Sequence, residues 1–120
     1  MFELELQTEF SAAHGIMIAG QREPLHGHNW RVTAVVGGDK LDADGLLCDF
    51  HHVERLLREI IAPFNNRNLH DVPPFDRINP TAELVAKHIG DRLSAGLPAG
   101  VRLVSVRVTE APGCAAIFRP

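Results

Sequence analysis

His26 and His28 flank Gly27. An i, i+2 spacing on an extended strand turns both imidazoles to one face, and the intervening glycine allows close backbone approach. His14 stands at the end of an earlier alternating segment, and a hairpin between the two segments would bring it beside the pair. Three neutral imidazoles around one ion leave a fourth position for water or substrate, the pattern of catalytic rather than structural zinc. Zinc is the commonest occupant of such a set, although iron and nickel accept the same donors. The spacing also admits ordinary strand histidines, and by itself it names no reaction. Cys48 and Cys114 lack a CxxC spacing and form no disulfide framework in a reducing compartment, so both are expected to be free, buried thiols.

The histidines need strands to hold them. Phe2, Leu4, Leu6, Thr8 and Phe10 alternate with Glu3, Glu5, Gln7 and Glu9, the period of a strand with one buried face. Gly15, Gly20 and Pro24 make residues 15–24 a loop, and a second strand runs from Leu25 to Val36 before Gly37-Gly38. Phe50, Val53, Leu56, Leu57, Ile60 and Ile61 recur at helical spacing behind Asp49 as N-cap, and this helix ends before Pro63. Asn79-Pro80-Thr81 predicts a second helix start, with Asn79 as the cap and Pro80 at the first helical position. Its apolar stripe is Leu84, Val85, Ile89 and Leu93. Val101–Glu110 and Cys114–Phe118 are the last two strands. The ββααββ order implies an α+β fold, a four-stranded antiparallel sheet with both helices on one face. Its open edges call for closure by association of subunits.

Bulk properties narrow the partners. At 120 residues and 45% hydrophobic, the chain is expected to be a single domain over 1–120. Twelve Lys and Arg residues spread along a chain of net charge −3 form no basic stripe, which argues against nucleic acid. No apolar stretch has the length of a membrane span, and the acidic start does not resemble a signal peptide, so no membrane partner and a cytoplasmic location are expected.

Phe10-Ser-Ala-Ala-His14, Leu25-His-Gly-His28, Gly45 to Asp49-Phe50, Asn79-Pro-Thr-Ala-Glu83 and Thr109-Glu110 together resemble the successive signatures of the 6-pyruvoyltetrahydropterin synthase and 6-carboxytetrahydropterin synthase family. The resemblance spans nearly the whole chain. It implies a tunnelling fold, in which sheets from three subunits close a barrel and trimers stack as a homo-hexamer. It also implies Zn2+ on His14, His26 and His28 and a small reduced-pterin substrate such as 7,8-dihydroneopterin or its triphosphate. Glu110 matches the family glutamate that holds the pterin edge, where a carboxylate accepts two parallel N–H bonds.

The chain departs from the family at the acid–base groups. Arg22 stands where family synthases carry a cysteine, and Asn65 and Asn66 stand in place of an Asp-His pair. Asparagine does not act as a base near neutral pH. Some relatives use a glutamate in the cysteine's loop for aldolase-like cleavage of dihydroneopterin, which makes Glu23 the candidate base and His70 a candidate proton shuttle. The leading expectation is a zinc-dependent lyase or aldolase-like enzyme with altered catalytic residues. The alternatives are synthase activity through substitute groups and a non-catalytic pterin- or purine-binding protein. His51, His52 and His88 are expected at plain helix positions.

Overall fold

The computed structural model describes all residues, 1–120. The two alternating segments form the centre of the fold. Strand β1 (Phe2–His14) and strand β4 (His26–Gly38) pair antiparallel along their whole length, from Phe2 opposite Gly38 to His14 opposite His26. Alternation then turns Leu6, Phe10, Ala12 and His14 to the same face as Trp30, Val32, Ala34 and Val36. All eight are buried. Phe10 stacks on Trp30 with ring centroids 5.8 Å apart, and the indole N–H donates to the Ala12 carbonyl at 3.1 Å. The one polar atom of the largest core side chain is therefore satisfied.

Between these strands, residues 15–24 are more ordered than a plain loop. Strands β2 (Met17–Ile18) and β3 (Gln21–Arg22) form a small hairpin. Its two turn residues, Ala19 and Gly20, both have positive φ, as a tight hairpin turn requires. Two-residue runs of this kind carry too little periodicity to be read as strands.

Helix α1 (Phe50–Ile61) begins as expected, with the Asp49 carboxylate accepting from the His51 N–H at 2.9 Å, and it buries Val53, Leu57 and Ile61. Helix α2 (Ala82–Gly96) does not. Its cap is Thr81, whose hydroxyl accepts from the Leu84 N–H at 3.1 Å. Asn79 instead clamps the β2 segment, accepting from the Met17 N–H at 2.9 Å and donating to the Met17 carbonyl at 3.0 Å. Threonine caps nearly as well as asparagine, so Asn79 is free to make the long-range contact.

The sheet also differs from the expected four strands. Strand β5 (Arg67–Asn68) lies parallel to β1 beside Ala12 and Ala13, giving a mixed sheet in the order β5, β1, β4, β6 (Arg102–Ala111), β7 (Cys114–Phe118). Both helices pack on one face: α2 covers β6 and β7, and α1 packs against α2 and β1. The single chain closes no barrel. Beyond Ala12 and Ala13 the outer edge of β1 has no partner strand, and β7 ends the other side. The helices are too short and polar for a membrane span. Both cysteines are free, but only Cys48 is partly buried; Cys114 is exposed at the start of the edge strand β7.

His88 is more than a surface helix position. Its ring meets Phe64 and Phe75 edge-on at 5.6 Å, and burial, with the nearby Arg92, pulls its pKa below the ordinary histidine value. A histidine harder to protonate folded than unfolded lets the unfolded chain bind more protons below about pH 6.5, so its contribution to stability is lost as pH falls. Urea unfolding at pH 7.5 and 5.5 should show a smaller acid loss of stability for His88→Leu than for the wild-type chain. An equal loss in both would assign the acid sensitivity elsewhere.

Candidate metal centre

The β1–β4 register sets His26 opposite His14 and His28 opposite Ala12, so the three rings gather at one end of the buried sheet face. Their centroids lie 4.7 to 5.2 Å apart in near-perpendicular pairs. Strand β6 contributes the fourth group. Val108 pairs with Val32 in the core, and Glu110, two residues further along, shares its face. One ligand atom from each of His14, His26, His28 and Glu110 lies within 4.8 Å of the others. Two ligands about 2.1 Å from a common ion are at most about 4.2 Å apart, so small side-chain rotations would bring all four into range.

The chain has already chosen the tautomers. His14 Nδ1 lies 2.8 Å from the carbonyl of the buried Pro80, and His26 Nδ1 lies 2.8 Å from the Pro24 carbonyl. A carbonyl only accepts, so Nδ1 holds the proton in both rings and Nε2 presents its lone pair. This is how metal-ligating histidines are oriented in general. It also explains the Asn79-Pro80 segment, which holds the hairpin through one residue and the His14 ring through the next.

With its proton on Nδ1, His14 turns the Nε2 lone pair toward Glu110 Oε1 at 2.7 Å. Two acceptors at that distance require positive charge between them, either a second proton on the ring or a cation. His28 Nε2 lies 3.1 Å from the same oxygen but without hydrogen-bond geometry, and it is a buried nitrogen with no partner. The distance alone would call this an ion pair; the angles decide against it. Burial lowers the His28 pKa, and Glu110 only partly offsets this, so the ring is neutral at pH 7 with Nε2 unsatisfied. A cation would satisfy this nitrogen and separate the two acceptors at once. Three imidazole nitrogens with a carboxylate beside them therefore fit a borderline divalent ion such as zinc, iron or nickel, held by the histidines.

The other expected site residues lie beside this centre. Gly15 follows His14 and sits so close to the opposite chain that a Cβ there would lie 2.5 Å from the Glu23 carbonyl. Glu23 Oε1 accepts from the Ile16 N–H at 3.1 Å. His70 Nε2 accepts from the Gly15 N–H at 3.0 Å, while Arg22 Nη1 lies 3.0 Å from His70 Nδ1. Burial and the Arg22 charge lower the His70 pKa. Gly15, Arg22, Glu23, Leu25, Asn68 and His70 line a common cavity of about 240 Å³. Glu23 and His70, distant in sequence, thus share one pocket. Gly27 differs from its expected role: a Cβ there would meet nothing within 4 Å, so no backbone of the same chain approaches it.

Asn65 and Asn66 are structural. Asn65 Oδ1 accepts from the Ser11 N–H at 3.1 Å, and the Asn66 N–H donates to the Ser11 carbonyl at 2.6 Å. Asn66 has φ of 60°, a left-handed conformation that asparagine tolerates. Together they dock the segment leading into β5 against the β1 edge, which delivers His70 to Gly15. Their shared contacts with Ser11 could not be anticipated from local composition.

Comparison with known proteins is consistent with this arrangement. Residues 3–120 match the family described as 6-pyruvoyl tetrahydropterin synthase. The chain is 35% identical over 128 residues to the 6-carboxy-5,6,7,8-tetrahydropterin synthase of Bacillus subtilis, an alignment covering 99% of this chain and 86% of that protein. It is 30% identical over 104 residues to the dihydroneopterin monophosphate aldolase of Pyrococcus furiosus, covering 87% and 85%. Among solved structures, 6-pyruvoyl tetrahydropterin synthase of Caenorhabditis elegans superposes with a TM-score of 0.86 at 22% identity, covering 99% of this chain and 95% of that one.

Proposed function

Because the chain belongs to the 6-pyruvoyl tetrahydropterin synthase family, we propose that it is a zinc-dependent lyase of aldolase type acting on a reduced pterin such as 7,8-dihydroneopterin or a phosphorylated form of it. The observation that carries this reading is the convergence of His14, His26 and His28, with two ring protons parked on Pro80 and Pro24 carbonyls so that Nε2 is left for a metal. Bound zinc would act as a Lewis acid toward a side-chain hydroxyl of the substrate. Glu110 anchors the pterin edge by accepting from its amino and ring N–H groups once the cation, rather than the carboxylate, faces His14.

Glu23 is the base. It takes the proton of the side-chain hydroxyl one carbon removed from the pterin-bearing carbon. The oxygen lone pair forms a carbonyl as the carbon–carbon bond breaks, and the released electron pair passes to the carbon attached to the conjugated ring. Reprotonation there gives a hydroxymethyl pterin, and a small aldehyde leaves. Atoms and electrons balance without an oxidant. His70 Nε2 is engaged by the Gly15 N–H, which favours a fixed donor over a shuttle.

Incubation of zinc-loaded protein with dihydroneopterin, its monophosphate and its triphosphate, followed by mass spectrometry, tests the reaction. A hydroxymethyl pterin and the aldehyde fragment are expected; a pyruvoyl- or carboxy-tetrahydropterin product would assign synthase chemistry instead. The second reading, a pterin- or purine-binding protein without turnover, draws on the use of Asn65 and Asn66 as backbone anchors rather than acid–base groups. It predicts binding without any product. The unpaired edge of β1 supports assembly into trimeric barrels stacked as a hexamer. Sedimentation at micromolar concentration should show that hexamer, and a stable monomer would contradict it.

A further inference from the structure

The cavity beside the metal centre holds more donors than acceptors. The Gly15 N–H occupies the lone pair of His70 Nε2 at 3.0 Å, so the ring proton is on Nδ1. Arg22 Nη1 lies 3.0 Å from that same Nδ1 and 3.2 Å from Nε2. Both groups are then donors, and a guanidinium has no acceptor to offer. No carboxylate lies in salt-bridge range of Arg22. Its chain neighbour Glu23 is turned to the Ile16 N–H. A fixed positive charge with no carboxylate partner and an imidazole Nδ1–H therefore face one space, and the one ring acceptor near them, Nε2, already takes the Gly15 N–H; this is what an anionic oxygen requires.

From this we infer that Arg22 and His70 form an oxyanion subsite that takes the phosphate end of the substrate's side chain. The inference rests on the pterin reading of the metal centre and narrows it to phosphorylated substrates. Position supports the assignment: Gly15 and Leu25, both lining the cavity, are the chain neighbours of the ligands His14 and His26. Glu23 lines the same cavity, so a hydroxyl presented to Glu23 and a phosphate ester on the next carbon would fall within one pocket. Arg22 thus replaces a nucleophilic or basic group with a specificity group, and the base moves one residue along the chain.

Two measurements test this on the zinc-loaded protein. The first titrates inorganic phosphate while following the His70 ring signals by nitrogen-detected NMR. A saturable shift is expected in the wild-type chain, absent in Arg22→Met and retained with weaker affinity in Arg22→Lys. The second compares affinity for dihydroneopterin with that for its monophosphate. The phosphorylated form should bind about 10- to 100-fold more tightly, the scale of one charge-assisted hydrogen bond, and Arg22→Met should remove that preference. Equal affinities for the two pterins in the wild-type chain would overturn the substrate subsite even if inorganic phosphate binds. Should neither pterin bind, the pterin reading fails, and an Arg22-dependent phosphate shift would still support the oxyanion subsite; no shift would overturn it.

Discussion

A His26→Ala, His28→Ala variant is expected to lose stoichiometric metal binding, from about one zinc per chain to none, because two of three imidazole donors disappear. The sign of the accompanying stability change separates a metal site from a histidine cluster kept for packing. His28 Nε2 is buried without a partner, and an unsatisfied buried group costs about 1–3 kcal/mol. Removing it should leave the metal-free variant at least as stable as metal-free wild type, less whatever ring packing is lost. The loaded wild-type chain should be more stable than both, by about 4 kcal/mol at free zinc a thousandfold above its dissociation constant. Metal analysis after dialysis, with unfolding curves in zinc and in chelator, reads all of these states. Full occupancy in the double variant would argue against the metal centre, and a double variant much less stable than wild type when both are in chelator would make the histidines structural.

Glu23→Gln should reduce turnover by about 10²–10⁴, the usual contribution of a positioned general base, with little change in pterin affinity. Glutamine keeps the oxygen that accepts from the Ile16 N–H, so the loop should hold its shape and the loss should fall on the proton-transfer step. Glu110→Gln should behave in the opposite way. It converts one acceptor oxygen into a donor and should weaken pterin binding by about 1.5–3 kcal/mol, while the three histidines retain zinc. Synthase reactions of the 6-pyruvoyl or 6-carboxy type should be weak or undetectable, since Arg22, Asn65 and Asn66 supply no base. Synthase turnover at ordinary enzyme rates, untouched by Glu23→Gln, would show that another group carries the proton.

Much of this was legible from the chain alone because it depends on short-range periodicity. Alternation in β1 and β4 places His14, His26 and His28 on one face, and the apolar spacing of α1 with Asp49 before it gives that helix and its cap. Five separated motifs in order gave the family, which composition or one motif could not. Neither β2, β3 nor β5 could be read, since two-residue strands have no period and exist only where a partner strand meets them.

What the tertiary structure decided lies in contacts between residues far apart in the chain. The ring proton of His14 is fixed by Pro80, and its Nε2 faces Glu110, which sequence reading placed on the pterin alone. Asn79 looked like a helix cap, and locally it satisfies that rule as well as Thr81 does. The choice between them was made by the Met17 backbone, whose N–H and carbonyl are both partnered by the Asn79 amide. In the same way Asn65 and Asn66 bond to Ser11 and bring His70 to Gly15 and Arg22, so a loop histidine becomes part of the site. Side-chain type and spacing determine which groups can share a face. Which donor meets which acceptor across the fold depends on the packing of whole elements, and that packing set the tautomers, the unpartnered nitrogen and the surplus of donors around Arg22.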